Sequence, residues 1–583
     1  MKFNFAPALC LTLLASCNAA PNGSSLQEAP DFWNALTRFG FNRVIGYNDL
    51  VAKREVSTAD VPWSDTYWPL SYKGMAWRYN APDDPAALKE EVQVAAFIAH
   101  FATESVKSSP DPLLSPAEKY DLVYQYRHGL SAAPKALSKL VADLAKQDKA
   151  IKAKSDIKDK KPMLANMIYS LSNEAIEPAL SMTIAGWTTF LSESAGDKNK
   201  YLAIDDNPGD DWSWEGHCHG WAPAAVMIRP PKHGVMAMIG DKQVFFSEGD
   251  IRGLMTKAWA DSAPDDQQYF LARRCEATPQ DVDAGIPANA LGRGYSGTIK
   301  VGDKEQHFIV LESLPRMTTV TARGSDSALN FYRIRMEETG ERLYLVENPG
   351  HSNYWTVPFL SDLDDAMRTG NFSGLKSVDA NLTGCWDPNP ASFHAVLLEQ
   401  LDERKTGFVM DRTRTGQVWN QPIYSAAFEI GPMVKVGATN DAARAYRAAG
   451  TVYLAEVTAT VDWSSEPESP AFAYAADFDT GQLQQTQYSY TLEFDARHQL
   501  IGGEWGTLAK MDASSSAPDF LYGFAKGAAP VDNLRPGRGL ARIDYSGLIG
   551  RLHECSLGDH TDDSISVSGT SYPYTKCTIS KAQ

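Results

Sequence analysis

Seven cysteines in 583 residues are few. That scarcity excludes a small disulfide-stapled scaffold and makes every thiol a position to account for. Positive charge is also short: 55 Lys and Arg against 72 Asp and Glu leave a net charge of −17, so nucleic acid and anionic membrane surfaces would repel the chain. Charged residues make up only 22% and hydrophobic residues 43%, which argues against disorder and supplies a large core, divided among two or three domains. Beyond the N-terminus no run is long and apolar enough to span a bilayer. No dinucleotide fingerprint, P-loop, internal repeat or low-complexity tract is present, and Gly292-Arg293-Gly294 is too short to cradle a phosphate.

What is there centres on one thiol. Cys218 lies in Trp212-Ser213-Trp214-Glu215-Gly216-His217-Cys218-His219-Gly220-Trp221, where bracketing glycines let the backbone turn tightly and a substrate approach closely. The small and apolar residues that follow (Ala222, Ala224, Ala225, Val226, Met227) fit a buried helix. A thiol at a helix N-terminus meets the positive end of the dipole and unpaired N–H groups, and both favour the thiolate. Pro223 would clash with the carbonyl four residues back, so the regular helix is expected to start near Trp221 or Ala222. Two plainer readings stand beside this one. Cys218 could be a packed core thiol, and His217 with His219 could be a metal pair, although no second cluster lies nearby to complete a tetrahedral site.

A partner for the thiol is sought in a hairpin. Ser392 to Leu398 is short and apolar, as is Gly407 to Asp411, and the polar stretch Gln400 to Lys405 separates them. A turn symmetric about residues 402 and 403 places His394 directly opposite Asp411, where side chains share one face about 4.5–5.5 Å apart. Such a carboxylate fixes the tautomer of an imidazole, and with Cys218 the set reads as a Cys–His–Asp triad. The alternative is a structural His–Asp pair in a sheet. Asn420 is held in reserve for the orienting role.

Taken together, Trp214-Glu215-Gly216-His217-Cys218-His219-Gly220-Trp221, Asn389-Pro390-Ala391-Ser392-Phe393-His394 and Val418-Trp419-Asn420-Gln421-Pro422 resemble the transglutaminase elicitor family, known from oomycetes and also found in bacteria. The likeness extends from about Pro62 to about Tyr522 and includes Leu114 to Tyr120 and Gly502-Gly503-Glu504-Trp505. It implies a papain-like core and protein-glutamine acyl transfer, with the nucleophile falling on Cys218. His394 would then take the thiol proton while Asp411 orients the ring. Ammonia leaves, and a lysine amine or water resolves the thioester. The Cys218 N–H is a natural oxyanion donor; the second donor is not apparent, because position 212, where papain-like peptidases place a glutamine, is Trp. Trp214 and Trp221 are candidate substrate-binding walls, or simply core aromatics. The expected partners are protein substrates with exposed glutamines and primary amines. A papain-like peptidase or amidase, and a non-catalytic envelope lipoprotein, remain the alternatives, since one fold hosts all three.

The N-terminus supplies an address. Lys2 precedes a brief apolar stretch, and Leu14-Ala15-Ser16-Cys17 resembles a bacterial lipobox in which Cys17 becomes lipidated. The expectation is an outer-membrane-anchored lipoprotein of the bacterial envelope, touching the membrane only through its lipid; ordinary cleavage near Ala19, and secretion, is the alternative. Cys275, Cys385, Cys555 and Cys577 are then left for disulfides, with Cys275–Cys385 and Cys555–Cys577 favoured among three pairings. No cofactor is expected; the acidic run from Asp205 to Asp211 suggests calcium but does not match an EF-hand loop.

The fold expectation is α+β: a papain-like or transglutaminase-like catalytic core with a helical N-terminal region and a sheet-rich C-terminal part. Residues 1–17 read as signal peptide and 18–27 as tether. Residues 28–195 read as a mainly helical region, lid or prosegment against scaffold, 196–530 as the catalytic body, and 531–583 as a C-terminal extension with a Cys pair. Ser115-Pro116-Ala117-Glu118 predicts a capped helix start, and Asp250 is expected to cap a helix running to Ala260.

Overall fold

The computed structural model describes residues 45–79, 94–154, 157–196, 214–264, 267–272, 296–301, 304–318, 327–336, 342–347, 354–358, 375–382, 390–413, 417–437, 451–467, 469–508, 517–537 and 540–582. The lipobox with Cys17, the acidic run 205–211, and Cys275 and Cys385 lie outside them.

The N-terminal part is helical. After α1 (Tyr47–Ala52) come α2 (Val94–Ser105), α3 (Pro116–His128), α4 (Pro134–Lys152), α5 (Ile157–Leu171) and α6 (Ser181–Gly196). The expected capping box opens α3: Ser115 Oγ accepts from Glu118 N–H, and the Glu118 carboxylate accepts from Ser115 N–H at 3.0 Å. These helices do not form a detached lobe. The apolar faces of α2 to α6 share one core with α8 (Glu248–Ser262), β2 (Gly234–Ile239) and β3 (Lys242–Phe246), while Leu50 of α1 packs with the large sheet. A buried Lys119–Asp250 ion pair ties α3 to α8. Ser247, not Asp250, is the N-cap of α8; Asp250 occupies the third position of that capping box, which accounts for the acidic residue in the sequence pattern.

Among the described residues the strands form three sheets. In the first, β16 (Leu500–Trp505), β15 (Leu483–Phe494), β14 (Tyr453–Ser464), β12 (Asn420–Ile430), β11 (Phe408–Asp411), β17 (Phe520–Phe524) and β4 (Gln268–Ala272) follow one another antiparallel. The short strands β1 (Glu55–Ser57) and β13 (Val434–Lys435) complete its nine, on β12 and β14. Between β4 and α9 (Pro390–Leu397) is inserted a closed barrel of β5 (Ser296–Val301), β6 (Lys304–Thr318), β7 (Ser327–Met336), β8 (Arg342–Glu347), β9 (Tyr354–Val357) and β10 (Lys376–Leu382), with its own small core. The third sheet runs β18 (Asp563–Val567), β19 (Thr570–Thr578), β2, β3, and its β19–β2 pair is parallel. The C-terminal strands β18 and β19 therefore complete a sheet begun near residue 234. There Cys555 of α10 (Gly550–Ser556) is bonded to Cys577 of β19.

The helix that carries the thiol is α7 (Cys218–Met227), which begins at Cys218 rather than Trp221 or Ala222. Pro223 sits inside it without stopping it: Gly220 and Trp221 N–H close the first turn onto His217 C=O upstream of the proline, and Ile228 N–H donates to Ala224 C=O beyond it. One face of α7 packs on β11, β12 and β17 of the large sheet.

Candidate active site

Strand alternation sorts the candidate residues. Asp411 and Asn420 are direct partners across β11 and β12, so their side chains share one face of the sheet. Asp411 also opposes Phe520, and Val409 opposes Tyr522, across β17. Val409, Phe520, Tyr522 and Phe524 form one apolar cluster with Cys218, Trp221 and Ala225 of α7. Phe408, Met410, Ile423 and Leu521 point the other way, into a cluster with Phe393, Val396 and Leu397 of α9. The two helices thus lie on opposite sides of the sheet, α7 with Asp411 and Asn420, α9 with His394.

This placement corrects the hairpin. Residues 390–397 are helix, and 398–403 continue it as a wider turn, so His394 is not a strand partner of Asp411. His394 is fully buried on the far face, its Nδ1 2.6 Å from the Tyr490 hydroxyl and its ring against Phe428. Its Nε2 has no hydrogen-bond partner among the described residues. Burial pushes the imidazole down to about 3, so it stays neutral. The Cys218–His394–Asp411 convergence is not formed.

Cys218 itself is 3% exposed. Asn420 Nδ2 approaches its Sγ at 3.5 Å, Val418 C=O lies 3.9 Å away, and the Tyr522 hydroxyl donates to Asn420 Oδ1 at 3.0 Å. Burial pushes the thiol up to about 11, against N–H donation from Asn420, while the charges of Glu466 and Asp411 push the same way as burial. Asp411 is fully buried and its Oδ1 accepts from Thr413 N–H at 3.3 Å. Glu466, bonded to Gln421, is raised by burial to about 7.

An extended strap crosses the start of α7. Tyr67 C=O accepts from His217 N–H at 2.6 Å, Leu70 N–H donates to Glu215 C=O, and Trp63 C=O accepts from Trp221 Nε1. Gly216 permits this approach: a Cβ there would fall 2.3 Å from Tyr67 O. Tyr67 packs edge-on against Trp419, and Trp214 tilts against Trp419, and these rings pack in and against the cluster that holds Cys218. Trp214 is half-buried in that aromatic group. Trp221 is fully buried and spends its N–H on Trp63, so it is a core residue and not a substrate wall. His217 spends its ring nitrogens away from the thiol: Nδ1 faces Trp68 C=O and Nε2 meets Lys257, while the His219 ring stacks with that of His217. Among the described residues no group of three or more metal-ligating side chains occurs.

Tyr522, Trp419 and Tyr67 were not singled out from the sequence. The alternating aromatics of Phe520-Leu521-Tyr522-Gly523-Phe524 carry a period-two signal that marks one face of a strand, and that is the signal by which Tyr522 could be found.

Comparison with known proteins agrees with the family resemblance. Residues 382–555 match the family model for transglutaminase elicitors, a stretch that includes His394, Asp411, Asn420 and Tyr522 but not Cys218. No curated protein matches. Among solved structures, the GP42 transglutaminase from Phytophthora sojae is similar at 16% identity and a TM-score of 0.43, over 91% of this chain and 100% of that one.

Proposed function

We propose that the chain is a transglutaminase-type acyltransferase with Cys218 as its nucleophile and proteins bearing exposed glutamine and primary amines as its substrates. The observation that carries this reading is the thiol's setting: the first residue of a helix, on a sheet face that presents Asn420 and Asp411 side by side. The sulfur attacks the glutamine side-chain carbonyl carbon, the C–N bond breaks, and the thiol proton departs with the nitrogen as ammonia. An amine then displaces the sulfur from the thioester. With His394 on the other face, Asp411 is the group we assign to carry that proton, a role within the range of positioned carboxylates. The family match over residues 382–555 supports the acyl-transfer class.

A second reading, a closed form of the same enzyme, is favoured by the 3% exposure of Cys218, which packs in one cluster with Tyr67 and against Trp419. Both readings are tested by labelled-amine incorporation into casein, beside Cys218→Ala. Incorporation that disappears in the variant supports the acyltransferase; none from the wild-type chain, before or after limited proteolysis, contradicts it.

A further inference from the structure

Resting on Cys218 as the acyl-transfer nucleophile, we propose that Asn420 is a catalytic residue whose side-chain N–H is the second donor to the oxyanion, and that Tyr522 positions it.

Three observations meet here. Asn420 Nδ2 lies 3.5 Å from Sγ. When sulfur bonds the carbonyl carbon, the C=O electrons move onto oxygen, and that oxygen sits within about 3 Å of sulfur, inside the 2.7–3.1 Å reach of a donor so placed. Cys218 is the first residue of α7, so its own N–H has no partner within the helix and supplies the other donor. The two converge from helix and sheet.

The third observation is what holds the amide. Tyr522 donates to Asn420 Oδ1 at 3.0 Å, which turns the NH2 end toward the sulfur. Tyr522 stands on β17, opposite Val409 and on the thiol's face, with the ring packed beside Phe520 and Phe524. Asn420 is itself buried. The donor is thereby prealigned, as charge stabilisation in a water-poor site requires. The glutamine expected near position 212 is replaced, in this reading, by an asparagine some two hundred positions later.

The step balances. The sulfur lone pair forms the S–C bond, the oxyanion forms and is held by the Cys218 and Asn420 N–H groups, its electrons return as the C–N bond breaks, and the nitrogen leaves as ammonia with the thiol proton.

The test compares two reactions of one thiol. Acylation by p-nitrophenyl acetate passes through an oxyanion; alkylation by iodoacetamide does not, and both need the same thiolate. The ratio of their rates at one pH therefore cancels any change in thiol ionisation or exposure. For Asn420→Ala that ratio should fall on the order of 10²–10³-fold, the usual effect of removing one oxyanion donor. For Tyr522→Phe it should fall roughly 2–10-fold, the worth of one ordinary hydrogen bond, with kcat for amine incorporation reduced and KM unchanged. Asn420→Asp keeps the shape and the Tyr522 contact while removing the donor, and serves if the alanine variant does not fold. An unchanged ratio in Asn420→Ala and Asn420→Asp overturns the proposal. A wild-type chain that is acylated yet transfers nothing to amines contradicts the transglutaminase reading and leaves the Asn420 proposal to be decided by the ratio. A wild-type chain that alkylates but is never acylated overturns both.

Discussion

The two faces of the large sheet are built from the same strands and do opposite things with polar groups. On the face under α7, Cys218 meets an amide held by a tyrosine, with a carboxylate on the neighbouring strand. On the face under α9, His394 is enclosed by Phe428, Tyr490 and Phe393, and its one hydrogen-bond partner among the described residues is the Tyr490 hydroxyl. A buried titratable group is therefore no indication of chemistry by itself. What separates the faces is company: donors and charge around the thiol, rings around the imidazole. Alternation along β11 makes the division, since Val409 and Asp411 look one way and Phe408 and Met410 the other.

The largest expected effect falls on the thiol face. Asp411→Asn should lower amine incorporation by about 10²–10⁴-fold, the usual worth of a positioned acid–base group, with melting behaviour close to wild type. Equal activity in the folded variant would remove Asp411 from the proton path. On the far face the effect should be on stability alone. His394→Phe leaves the Tyr490 hydroxyl buried without its imidazole, which costs about 1–3 kcal/mol, whereas replacing both His394 and Tyr490 by Phe should recover most of that loss. Urea unfolding of the two single variants and the double variant measures it; a double variant as unstable as the sum of the singles contradicts the pairwise account.

Acid should separate the faces further. Burial holds His394 at about 3, below its ordinary 6.5, so between those values the unfolded chain binds a proton that the folded chain does not. The stability difference between wild type and His394→Phe should be constant above about pH 6.5 and should shift in favour of the variant as pH falls toward 4. A difference independent of pH over that window would mean the ring is protonated when folded. Cys218 has its window at the opposite end: burial raises the thiol from 9.0 to about 11, so its share of stability is present below pH 9 and fades as pH rises through 11. The smallest effect concerns the aromatic group packed with the thiol. Trp419 is half-buried and packs on Tyr67, and Trp419→Ala should speed iodoacetamide labelling of Cys218 by roughly 2–10-fold, since surface substitutions seldom exceed about 1 kcal/mol. Unchanged labelling would place the barrier in the Trp63–Tyr67 strap.

Much of the thiol face was legible in the sequence, and little of the other. Gly216 and Gly220 around Cys218 suggest a tight turn and room for substrate, but the room is filled by the chain's own backbone: a Cβ on Gly220 would fall 2.1 Å from Thr256 O. The capping pair Ser115 and Glu118 announced its helix. Ser392 to Leu398 misled because a seven-residue apolar run fits a buried helix and a buried strand equally well; here Pro390 at its start and the wide turn at 398–403 decide for helix. Asp411 was placed on the right strand with the wrong partner. Asn420 was held only in reserve, and its contact with Tyr522 joins positions a hundred residues apart, a pairing that no local pattern encodes. The small sheet was hidden for the same reason, since β19 returns from the C-terminus to lie parallel to β2.

The central claim is that the chemistry of Cys218 is run from the Asp411 and Asn420 face without His394. The most direct measurement is kcat for labelled-amine incorporation by His394→Gln, taken at a temperature where circular dichroism shows the variant folded and normalised to Cys218→Ala as background. The account predicts a rate within about threefold of wild type, since the change lies across the sheet from the thiol and distant sites act independently. A folded His394→Gln chain with activity at the Cys218→Ala background would contradict it and return the imidazole to the catalytic centre.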